Sequence, residues 1–137
     1  METESRYNPE TRWGEKHSPN QDNTPLEEAV FFTSLRQQGA TAEQLGFQLK
    51  NGSFHSLPYY EIGEIYFEPS AGIVLFFRMG LVRIEGRNLK KLYQQLHARK
   101  VVEIREFSEN AGMFFATDAL FISSITYESE NLRRLGI

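Results

Sequence analysis

The stretch Gly86-Arg87-Asn88-Leu89-Lys90-Lys91 concentrates groups that bind rather than react. A strand pattern ends there and a helical pattern begins, so Lys90 and Lys91 fall in the first turn of a helix. Cations at that position oppose the positive end of the helix dipole, at about a few tenths of a kcal/mol each. Unpaired backbone N–H groups at a helix start, beside Arg and Lys, suit a negatively charged group. Arg87, Asn88, Lys90 and Lys91 are therefore the candidate anion-binding residues, with Gly86 expected to let a ligand approach the backbone. The wider distribution of charge agrees. From Arg78 to Arg105 there are eight basic residues and two acids, whereas the rest of the chain has seven basic residues and sixteen acids. A nucleic-acid surface made of Arg78–Arg105 is the alternative reading, set against an overall pI of about 5.7.

Catalytic patterns are sparse. His55 lies near Tyr59, Tyr60, Glu61, Glu64 and Glu68, which would allow an acid–base site. Glutamates flanking a strand more commonly form a solvated face, and this enzymatic reading ranks last. His17, His55 and His97 fit no metal-ligand spacing, and there is no cysteine, so thiolate metal sites, disulfides and thiol nucleophiles are excluded. No phosphate-cradling glycine loop and no nucleophile elbow occur, and no cofactor is expected. A third class of function is self-association. Val74 and Phe76 occupy the second face of an apolar strand and Tyr66 its neighbour, so these three are the candidate oligomer interface if helices cover only one side.

The elements that would position these groups follow from periodicity. Residues 1–23 are polar and read as a flexible tail, with Trp13 able to dock on its own domain or on a partner. Residues 24–137 read as one domain. Thr24-Pro25-Leu26-Glu27 has the form of a helix start, predicting a helix to about Gln38 with Gly39 as its stop. Thr41 and Gln44 suggest one or two further turns. Asn51-Gly52 predicts a two-residue hairpin turn, pairing Leu49 with Phe54 and Gln48 with His55. Glu64–Glu68, Ile73–Arg78 and Leu81–Glu85 form a meander, its middle strand apolar on both faces and so expected to be covered on both. Asn88 is the expected N-cap of a helix to about Arg99, with Leu89, Leu92, Tyr93 and Leu96 as its core stripe. Strands Val101–Phe107 and Ala119–Tyr127 follow, then a short terminal helix from Ser129.

The fold class is accordingly α+β: a mainly antiparallel sheet, or a small partly open barrel, of about six or seven strands with two main helices packed on it. The strand rhythm from Phe47 to Glu85 is loosely similar to small barrels of the Sm-like and pleckstrin-homology-like kinds. The helix after the meander departs from the Sm-like order, and no family is assigned. Hydrophobic residues make up 40% and charged residues 24%, the mixture of a globular domain. The longest apolar run, Ala71 to Phe77, is too short to cross a bilayer. The sequence thus leads to a soluble, cytoplasmic, non-catalytic binding or scaffolding domain, with an anionic ligand or a second copy of itself as the expected partners.

Overall fold

The computed structural model describes residues 26–28, 31–107 and 118–136. The chain order is β1 (Leu26–Glu28), β2 (Phe32–Leu35), β3 (Gln44–Gln48), β4 (Phe54–Pro58), a 3₁₀ turn (Tyr59–Glu61), β5 (Ile62–Glu68), β6 (Gly72–Phe77), β7 (Gly80–Arg87), α1 (Lys90–His97), β8 (Val101–Arg105), β9 (Phe121–Ser129) and α2 (Glu130–Arg134). The strands form two sheets, of order β1-β2-β8-β3-β4 and β5-β6-β7-β9. The second is wholly antiparallel, whereas β3 runs parallel to β8 in the first. The architecture is α+β with two helices, and its sheets do not close into a barrel. Among the described residues no helix is long and apolar enough to cross a membrane.

The meander follows the sequence pattern. Ile73 and Leu75 of β6 and Val82 and Ile84 of β7 are fully buried on one side of the second sheet. That inner side meets the first sheet through aromatic contacts. Phe47 and Tyr127 lie 5.8 Å apart, and Phe31 meets Phe121 edge-on at 5.2 Å. Helix α1 packs on the same core, with Leu92 and Leu96 fully buried and Tyr93 stacked on Phe67 of β5 at 5.3 Å. The outer side of β6 is not covered as expected: Phe76 is 39% and the neighbouring Tyr66 49% exposed.

The first expected helix is replaced by strands. β1 pairs antiparallel with β2, and β2 pairs on its other side with β8. Phe32, Thr33, Ser34 and Leu35 are all buried. An interior strand covered on both faces is apolar at consecutive positions, which at helical period also looks like a wide stripe. Aromatic and β-branched residues favour the strand, and pairing with a segment some seventy residues away decides it. Gly39 does adopt the expected left-handed conformation, φ 84°, but as part of a turn after β2. The turns predicted after Thr41 are likewise strand β3, where Leu45 and Phe47 are buried in alternation.

The Asn51-Gly52 hairpin is present with its register moved by one. Gln48 pairs with Phe54 and Phe47 with His55. The Gly52 N–H donates to the Leu49 carbonyl and the Leu49 N–H to the Ser53 carbonyl, both at 2.9 Å. Gly52, at φ 94°, therefore serves a three-residue loop with a bulge rather than a two-residue turn. The expected tail, residues 1–23 with Trp13, lies outside the described residues, as do residues 108–117.

Candidate functional site

The corner that joins β7 to α1 is built by an irregularity in the second sheet. β7 and β9 pair in regular antiparallel register from Gly80↔Ser129 to Glu85↔Ser124, after which the register shifts. Gly86 then opposes Ile122, leaving Ser123 as the extra residue of a bulge whose hydroxyl donates to the Glu85 carbonyl at 3.3 Å. At this bulge the β9 backbone comes so close that a Cβ on residue 86 would overlap the Phe121 carbonyl oxygen. Gly86 is thus required by strand contact.

Arg87 lies opposite Phe121, and its guanidinium carbon sits 5.1 Å from the centre of that ring. Its Nε and Nη2 are buried and have no hydrogen-bond partner among the described residues. These two nitrogens form the side-on edge of the guanidinium, the fork that engages a carboxylate or phosphate with two parallel bonds. A buried donor without a partner costs about 1–3 kcal/mol.

Asn88 follows in the left-handed region, φ 56°, a conformation that Asn tolerates better than most residues. Its side-chain amide donates to the Ala119 carbonyl at 2.8 Å, tying the corner to the start of β9. The expected cap is therefore displaced by one residue. Leu89 occupies the cap position, held there by burial (3% exposed), and its apolar side chain cannot accept a bond from the helix N-terminus. The first turn of α1 contains no acid, and Lys90 and Lys91 are both exposed. Neither lysine makes an ion pair among the described residues. Arg87, Asn88, Lys90 and Lys91 thus share one corner, though Asn88 is already engaged with the backbone.

The other basic residues between Arg78 and Arg105 are spread around the molecule. Arg78 lies in the β6–β7 turn and Arg83 on the outer face of the second sheet. Arg99 stacks over Tyr59 at 5.6 Å. The Lys100 ammonium donates to the carbonyls of Gln37 and Ala40 at 2.7 and 3.4 Å. Arg105 pairs with Glu103 at 2.8 Å and also donates to Thr33.

The region around His55 separates into unrelated environments. His55 stacks on Tyr127 at 4.2 Å, and partial burial lowers its pKa from the ordinary 6.5. No carboxylate lies within hydrogen-bond reach of it among the described residues. Tyr59 is buried, its hydroxyl donating to the Val101 carbonyl at 2.7 Å, and that burial pushes its pKa far up. Burial also raises the pKa of Tyr127, with a smaller contribution from the charge of Glu61. Tyr60 is 80% exposed. Tyr60, Glu64, His97 and Arg99 border an open groove of about 350 Å³ that does not include His55. No group of three or more potential metal ligands occurs among the described residues.

The three candidate interface residues do come together. Tyr66 and Val74 are directly paired across β5 and β6, and Phe76 lies on the same outer face one row further. One consequential residue lacked any sequence signal. The carboxylate of Glu106, with its side chain 6% exposed, accepts the N–H of Lys50 at 3.0 Å and that of Ile125 at 2.9 Å. It therefore ties the β3–β4 hairpin to β9 on the side away from β7. Comparison with protein-family models, with curated proteins and with solved structures finds no match to this chain.

Proposed function

We propose that the chain is a non-catalytic binding or scaffolding module that takes a small oxyanion, a carboxylate or phosphate group, at the Gly86–Lys91 corner. The observation behind this reading is the buried Nε/Nη2 fork of Arg87, without a hydrogen-bond partner among the described residues, beside a helix whose first turn has no acid and whose cap residue, Leu89, has no capping side chain. Both donors lie below the surface, so reaching them requires a side-chain shift at the corner. Two charge-assisted bonds and the exposed charges of Lys90 and Lys91 offset that shift. A nucleic-acid surface has less support, since Arg99, Lys100 and Arg105 are engaged within the fold.

Thermal unfolding in sulfate or phosphate, against chloride at equal ionic strength, tests the reading. At about ten times its dissociation constant a ligand stabilises by about 1.4 kcal/mol, or several degrees in midpoint. The gain should shrink in Lys90→Ala/Lys91→Ala and vanish in Arg87→Lys, which keeps the charge but loses the fork. Equal gains in the parent and both variants would refute the site.

A further inference from the structure

Because α1 packs against the inner side of the second sheet, the outer side of β5, β6 and β7 is left partly exposed. The strand register lays this face out in rows. One row holds Tyr66, Val74 and Arg83, and the next holds Glu64, Phe76 and Leu81. Beyond the first row the face ends in acids, Glu68 and Glu85 on either side of Gly72. Beyond the second it ends at the β6–β7 turn, with Arg78. Tyr66, Val74, Phe76 and Leu81, flanked by Glu64 and Arg83, therefore separate Glu68 and Glu85 at one end from Arg78 at the other, where it shares a groove with Glu128, Glu130 and Arg133. Arg78, Arg83, Glu64 and Glu85 make no ion pair among the described residues.

We infer that this face joins two copies of the chain about a two-fold axis running across the strands, between the Val74 row and the Phe76 row. That operation keeps each strand over its own counterpart and reverses its direction. Val74 of one copy then meets Phe76 of the other, twice. The same rotation carries each Arg78 over the Gly72 position of the second copy, between its Glu68 and Glu85. Tyr66 comes over Glu64, where its hydroxyl can donate to the carboxylate. An axis along β6 would instead bring Glu68 over Glu85, like charge on like charge, so the pattern selects the first arrangement. Three strands at a spacing of about 4.8 Å, and a rise of about 3.4 Å per residue from position 72 to 78, give a footprint about 14 Å by 20 Å. That is well below the roughly 800 Å² per partner of a stable interface, so the dimer is a weak one that dissociates on dilution.

The test uses the full chain. Sedimentation or light scattering over about two decades of concentration should show a monomer–dimer equilibrium. Phe76→Glu should leave only monomer. Arg78→Glu and Glu85→Arg should each weaken association about tenfold or more, and the two combined in one chain should associate better than either alone. Such recovery cannot come from a folding defect, and thermal unfolding of each variant confirms that it folds. A parent that is monomeric throughout overturns the inference. So does a dimer indifferent to Phe76→Glu, or one in which the paired charge reversal gives no recovery.

Discussion

Glu106 offers the sharpest test of how the two sheets are held together. Its carboxylate accepts from Ile125 in a partly buried setting and from Lys50 in an exposed one. Those settings make the two bonds unequal. Water can replace the acceptor at Lys50, but at Ile125 a lost acceptor strands a backbone N–H, at about 1–3 kcal/mol. Glu106→Gln can still turn its one oxygen toward Ile125, losing the charge and the second acceptor, for about 1–2 kcal/mol. Glu106→Ala removes both acceptors and the packing of the side chain, for about 2–4 kcal/mol. With a midpoint change of about 3–5 °C per kcal/mol for a domain this size, the alanine variant should melt roughly 10 °C below the parent. Lys50→Ala should cost less than about 0.5 kcal/mol, because its ammonium is 4.0 Å from the carboxylate on a side chain 48% exposed. Urea unfolding gives the energies, and amide hydrogen exchange locates the effect, with Ile125 losing protection before the pairs in the interior of the second sheet. The reasoning fails if Gln and Ala variants are equally stable, or if Ile125 keeps its protection in Glu106→Ala.

Other expectations follow from single positions. Gly86→Ala should destabilise by about 2 kcal/mol or more, since its Cβ would overlap the backbone oxygen of Phe121, and chemical denaturation measures it. Arg99 holds a left-handed φ of 59° while stacking on Tyr59; both small variants lose the stack and only alanine keeps the strain, so Arg99→Gly should be about 1 kcal/mol more stable than Arg99→Ala. His55 has a folded pKa below its ordinary 6.5, so the unfolded chain takes the proton first. Its contribution is complete above that value and is lost as pH falls through it toward the folded pKa. Unfolding midpoints at about pH 7.5 and about pH 5.5 should therefore differ less in His55→Gln than in the parent.

The parts of the fold legible in the sequence are those stabilised by neighbours along the chain. Ile65 and Phe67, Ile73 and Leu75, and Val82 and Ile84 alternate as strands joined by short turns should, and Leu89, Leu92 and Leu96 mark α1. Where pairing is remote, local pattern misled. β2 and β3 both border β8, and nothing between Phe31 and Gln48 announces Val101–Arg105 as the strand that separates them. Of the candidate site, the gathering of Arg87, Lys90 and Lys91 was legible as charge. The bulge at Ser123 was not, nor was the use of Gly86 for strand contact, because both depend on where β9 falls. Glu106 stands in an ordinary polar run, and only coordinates reveal the two N–H groups it serves.

The place of β8 in the first sheet has a consequence for synthesis. A chain leaving the ribosome exposes Phe31, Phe32 and Phe47 long before residue 105 emerges to lie between β2 and β3. The β5–β6–β7 meander, made of adjacent strands, can form meanwhile, so it is poised to nucleate before β8 emerges to complete the first sheet. Until then the early aromatic strands are unprotected, and the interval of greatest exposure to aggregation is the translation of the segment from β4 to β8.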